Sequence, residues 1–86
     1  MVSALIESAY NVNASDIHIE PEADSTRIRF RIDGTLSEHM ILKKELHELV
    51  TTRIKIISGM NIAEKRKPQD GAIRHASDLV EVDLRV

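Results

Sequence analysis

Arg27, Arg29 and Arg31 alternate with Ile28, Phe30 and Ile32 in the run TRIRFRIDG. Side chains on a β-strand point to opposite faces in turn, so one face buries the three apolar residues. The other carries three guanidiniums spaced roughly 7 Å apart. A guanidinium is a rigid planar fork that pairs with carboxylate or phosphate oxygens, so a comb of this spacing suits phosphate-sized anions. The competing account is a solvated outer strand face whose arginines pair with acids on neighbouring strands, such as Glu20 or Glu81. Asp16 and Glu20 alternate onto the polar face of their own strand together with His18, which suits them as ion-pair partners for arginine better than as a general base.

A second charged run, Glu64-Lys65-Arg66-Lys67, precedes Pro68-Gln69-Asp70-Gly71. It reads as an exposed connector ended by a tight reversal, with Pro68 and Gly71 as turn formers. It is either a plain solvated loop or a basic contact surface for another domain or a docking partner. His18, His39, His47 and His75 show no ligand-like spacing with a third acid or histidine on one element and read as scattered surface histidines, not a metal site. The absence of cysteine excludes a disulfide scaffold, a thiolate zinc site and a cysteine nucleophile.

The elements that must position these residues follow from periodicity. Val2, Leu5, Ile6, Ala9 and Val12 recur at helical spacing. Ile17-His18-Ile19-Glu20 alternates as a strand closed by Pro21, and Thr26 to Asp33 forms a second strand. The Asp33-Gly34 pair allows a tight turn into a hairpin partner over Leu36 to Ile41. From Lys43 a helical stripe of Leu46, Leu49, Val50, Ile54 and Ile57 runs to a stop at Gly59. Ala72 to His75 and Leu79 to Val86 close the chain as strands, the last with Val80, Val82, Leu84 and Val86 on one face and Glu81, Asp83 and Arg85 on the other. The order αβββαββ predicts an α+β fold, a two-layer sandwich with helices on one face of a largely antiparallel sheet.

Eighty-six residues with 42% hydrophobic and 30% charged content describe one soluble domain. A chain of this size buries only about 60 to 65% of its unfolded surface, so its stability margin is modest. With 2% aromatic residues the core is aliphatic and base stacking is disfavoured. A net charge of -2 excludes a generally basic nucleic-acid binder, and no apolar run approaches the length of a membrane span. These features predict a cytoplasmic protein.

At ASDIHIEP, IRFRIDG and RIKIISGMNIAEKRKPQDG the sequence resembles the secretion ATPases of type II secretion and type IV pilus assembly, the GspE/PilB family. The likeness runs almost end to end. It implies a PAS-like domain, residues 1–86, preceding a RecA-like motor domain in a longer protein, with the strand pattern still running at Val86. It further implies a hexameric ATPase that uses ATP and Mg, peripheral to the inner membrane and its secretion or pilus platform. This domain would pack on its own motor domain and on that of a neighbouring subunit, without contact to nucleic acid. The family's GxxxxGK[ST] loop, Asp box, Walker B acid and His box are not among these residues, so the resemblance assigns no catalytic residue here, no ATPase activity to these residues alone and no cofactor bound by them. It places Arg29 first and Arg31 second against the nucleotide phosphates, with Lys44 at a position where the family often has a basic residue. It makes Arg66, Lys67, Pro68, Gln69, Asp70 and Gly71 an interface or turn. Where the family shows PQDGR, this chain has Ala72. The rival reading is a stand-alone sensor or docking module that binds a phosphorylated ligand or a protein partner.

Overall fold

The computed structural model describes residues 2–75 and 78–85, leaving aside the side chains of His75 and Asp78. The elements run α1 (Val2–Asn11), β1 (Asp16–Pro21), β2 (Ser25–Ile32), β3 (Thr35–Lys43), α2 (Lys44–Ser58), β4 (Gln69–His75) and β5 (Asp78–Leu84). The αβββαββ order is that predicted from periodicity. All five strands form one sheet in the order β3-β2-β1-β5-β4, antiparallel except where β1 and β5 lie parallel.

Local chemistry explains the boundaries. Asn13, at φ 58°, takes the left-handed conformation that follows α1, which leaves Val12 outside the helix and half exposed. Asp33 and Gly34 have φ of 51° and 80°, the paired positive values of a type I′ turn, and hold β2 and β3 in register. Gly59, at φ 76°, ends α2, and the N–H groups of Gly59 and Met60 both donate to the Lys55 carbonyl.

The core lies between the sheet and the two helices. Ile17, Ile19, Ile28, Phe30, Val80, Val82 and Leu84 face inward from the sheet and meet Leu5, Ile6 and Ala9 of α1 with Val50 and Ile54 of α2. The α2 stripe differs from expectation at Leu49, which is exposed, while Thr51 and Lys55 are buried. The period of 3.6 carries Leu49 off the inward face, and the long Lys55 stem supplies apolar cover in its place. The inward position expected of Val86 lies outside the described residues.

Two departures shape the surface. Gln69, Asp70 and Gly71 are not a reversal but the first residues of β4, paired with Leu84, Asp83 and Val82. Gly71 is required by close packing: a Cβ there would sit 2.7 Å from the Ser58 carbonyl oxygen and 3.0 Å from Ser58 Cβ. The second departure is a β-bulge. Ile28 pairs with Met40 and Arg29 with Glu38, leaving His39 as the extra residue, stacked on Phe30 with centroids 4.2 Å apart. The bulge turns Met40 and Leu42 inward while Leu36 and Glu38 face outward beside the arginines. No helix among the described residues is long and apolar enough to cross a membrane.

Candidate functional site: the open face of the sheet

Thr26, Ile28 and Phe30 are buried under the helices, so Arg27, Arg29 and Arg31 project from the opposite face of the sheet, which no described element covers. Register assigns each arginine to a row of side chains across the sheet. Arg31 lies in line with Leu36, Asp16, Glu81 and Ala72. Arg29 is in line with Glu38, His18, Asp83 and Asp70, and Arg27 with Ile41 and Glu20. Neighbouring strands are about 4.8 Å apart, so each guanidinium reaches the next row as well as its own.

Every tooth of the comb meets a carboxylate. Arg29 Nη2 donates to Glu20 Oε2 across the diagonal at 2.7 Å, with both side chains less than one third exposed. Arg27 lies 3.4 Å from Glu22 and 3.5 Å from Glu38, and Arg31 Nε is 3.6 Å from Asp16 while its Nη1 donates to the Gly34 carbonyl at 3.0 Å. His18 Nδ1 is 3.4 Å from Asp83, which also accepts from Arg85. The Arg29 hydrogen bond holds the Glu20 carboxyl below its ordinary range against the opposing effect of burial, and the same bond raises Arg29. Glu20 was legible as a partner by alternation; Glu38 was not, because only the bulge brings it to this face.

The Arg29–Glu20 bond uses one nitrogen of the fork. Arg29 Nε is buried and has no hydrogen-bond acceptor, a feature Arg27 Nε shares, but of the two only Arg29 is also fixed by a short charged hydrogen bond. The arginine is charged and held in place, yet one of its donors is unsatisfied, a combination that favours exchange for a better-matched oxyanion.

Lys44 opens α2 as an exposed residue beside the Ser25–Lys43 pair. Arg29 and Arg31 stand four and six residues farther along β2, about 13 and 20 Å at the rise of a strand. The structure therefore brings Arg29 and Arg31 onto one face but does not gather Lys44 with them. Arg66 and Lys67 are exposed on the connector, and neither forms an ion pair among the described residues.

That connector is held by specific bonds. Gln69 and Asn61 exchange two hydrogen bonds, Gln69 Nε2 also donates to the Glu64 carbonyl, and the buried Lys55 Nζ donates to the same oxygen at 2.7 Å. Lys65 pairs with Glu48 at 3.0 Å, which lowers the Glu48 carboxyl. The connector and α2 flank a groove of about 270 Å³ lined by His47, Thr51, Lys55 and Lys67. Lys55 and Gln69 are determinants that periodicity did not reveal, although a lysine within an apolar helical stripe is a visible anomaly. Among the described residues no three histidine or acidic side chains are grouped to hold a metal ion.

Fold and site define a small α+β domain with one helix-covered face and one open, ion-paired face. The sequence matches a family model described as "Type II/IV secretion system protein" across residues 1–86. It is 45% identical over 85 residues to the type IV pilus assembly ATPase PilB of Thermus thermophilus, covering 99% of this chain and 10% of that protein. It is 44% identical over 86 residues to the type II secretion system protein E of Pseudomonas aeruginosa, covering 100% of this chain and 17% of that protein. The type II secretion system ATPase E of Vibrio cholerae is 41% identical over 86 residues, again 100% of this chain and 17% of the relative. This chain belongs to the type II/IV secretion system protein family. It spans about a tenth to a sixth of the length of these relatives.

Proposed function

We propose that this chain is the domain preceding the RecA-like motor of a hexameric secretion or pilus-assembly ATPase, and that it presents Arg29, seconded by Arg31, to the phosphates of ATP held by the motor. The observation that carries the reading is the position of Arg29: charged, on the open face of the sheet, and bound through one nitrogen only. Family membership and relatives that are named ATPases and are several times longer support the remainder. Closure of the domain over the motor would bring the arginines to the nucleotide as a rigid body, stabilising charge on the transferring phosphoryl group from outside the phosphate loop. ATP and Mg belong to the whole protein in this account, as does its association with the inner-membrane platform from the cytoplasmic side. Lys44, with no ion-pair partner among the described residues, is assigned a phosphate contact only if the nucleotide spans from the far end of β2. Arg66 and Lys67, on their pinned connector, form a contact with a neighbouring motor domain.

Replacing Arg29 by Ala in the intact protein is expected to lower ATP turnover by about a hundredfold, as for loss of one charge-stabilising donor, with the fold retained by circular dichroism. Unchanged turnover overturns the role given to Arg29.

A second reading draws on the completeness of the ion pairing: the face is a docking surface for a protein partner or a phosphorylated ligand, and its arginines serve packing of the domain itself. In that case Arg29→Ala would alter stability or assembly and leave nucleotide dependence unchanged.

A further inference from the structure

We infer that Glu20 is the positioning residue of the phosphate-sensing arginine: its carboxylate parks Arg29 against the sheet and competes with the incoming phosphate for the same nitrogen. The inference rests on the role proposed for Arg29 and adds what regulates it.

Three observations lead to it. First, Glu20 does not sit in Arg29's own row but in that of Arg27, so the 2.7 Å bond draws the Arg29 side chain along the strand direction. Second, the contact is monodentate and the Arg29 Nε is left buried without an acceptor, whereas a phosphate offers several oxygens to the whole fork. Leaving Glu20 therefore removes one charge-assisted bond and also releases an unsatisfied donor. Third, the neighbouring acids are already engaged: Asp83 holds His18 and Arg85, Asp16 faces Arg31, and Glu38 faces Arg27. Glu20 is the single carboxylate within ion-pair distance of Arg29 among the described residues and the strongest hold on it, while Glu22 and Glu38, both paired to Arg27, attract it from farther off.

The carboxylate raises the cost of recruiting Arg29, which weakens nucleotide affinity. Glu20→Gln keeps the length and a carbonyl acceptor but removes the charge that competes with phosphate. Glu20→Asp keeps the charge.

The test uses the intact protein, with ATP and Mg as probe, and compares wild type, Glu20→Gln, Glu20→Asp, Arg29→Ala and the Glu20→Gln/Arg29→Ala double variant. Thermal unfolding of each confirms the fold. Glu20→Gln is expected to lower KM for ATP by roughly three- to tenfold without a gain in kcat, the scale of one partly exposed charged hydrogen bond. Glu20→Asp, which keeps the charge on a side chain one methylene shorter, should fall between wild type and Glu20→Gln. Because Glu20 acts through Arg29, the double variant should match Arg29→Ala alone, with the KM gain abolished. An unchanged or raised KM in Glu20→Gln overturns the inference while leaving Arg29's role intact. A KM gain that persists in the double variant also overturns it, since the effect would then be removal of a negative charge from the face. If Arg29→Ala turns over ATP normally, the underlying reading fails first, and that failure is visible without the Glu20 variants.

Discussion

Lys55 is 7% exposed, and its ammonium group donates to a backbone carbonyl, not to a carboxylate. Its stem is buried beside the groove that Thr51 also lines, while its tip reaches the connector at Glu64, whose carbonyl Gln69 also serves. Lys55→Met preserves the stem and loses the tip. The remaining Gln69 bond prevents the carbonyl from being orphaned, so the expected loss is about 1 kcal/mol, read by urea unfolding, and not the larger penalty of an unsatisfied buried acceptor. Hydrogen exchange at the amides of Ala63 and Arg66 should quicken in the same variant, because Asn61 and Glu64, their acceptors, belong to the segment that Lys55 holds. The Arg66 and Lys67 side chains would then be displayed from a looser support.

Among the elements, β4 is where composition misleads. Pro68-Gln69-Asp70-Gly71 has the residue types of a turn, yet Gln69 to Gly71 pair along β5 and the glycine is there to let the end of α2 approach. Gly71→Ala is therefore expected to destabilise the domain by about 1 to 3 kcal/mol through overpacking against the Ser58 backbone, seen as a lowered thermal midpoint. At Gly34 an added Cβ would meet nothing within 4 Å, and the cost of Gly34→Ala is the left-handed φ alone, about 1 kcal/mol. The two helices and the β2–β3 hairpin were legible because their signals are local: a 3.6 or 2.0 period and an Asp33-Gly34 turn. The bulge was not, since one extra residue leaves the alternation of Leu36, Glu38, Met40 and Leu42 looking unbroken while shifting half of it to the other face. The parallel pairing of β1 with β5 joins segments about 60 residues apart and leaves no local trace. The arginine comb was legible as a face. Its partners Glu20 and Asp16 were legible by alternation, whereas its contact with Glu38 depended on the bulge and the adjacent His18–Asp83 pair on the parallel pairing.

At the scale of the whole molecule, stability depends on pH through the covered layer and the open face in the same direction. His47, on α2, shares a 2.7 Å hydrogen bond with Thr26, a buried residue of β2. Burial is the largest influence on its ring and lowers its pKa below the ordinary 6.5, with nearby Lys55 acting in the same sense and Glu48 opposing. The unfolded chain then binds more protons than the folded one between 6.5 and the lower folded value, so folding stability is lost as pH falls through that window. Glu20 and Glu48 have lowered folded pKa values as well, and their contribution, present above the ordinary 4.5, is lost at still lower pH. Thermal midpoints of the 86-residue chain should hence decline in two stages, the first beginning near pH 6.5 and the second below about 4.5. His47→Gln, which keeps a polar partner for Thr26 and cannot titrate, should flatten the first stage and leave the second, whereas Glu20→Gln should weaken only the second. A first stage that survives His47→Gln unchanged would place the neutral-range titration on another group and remove His47 from the account.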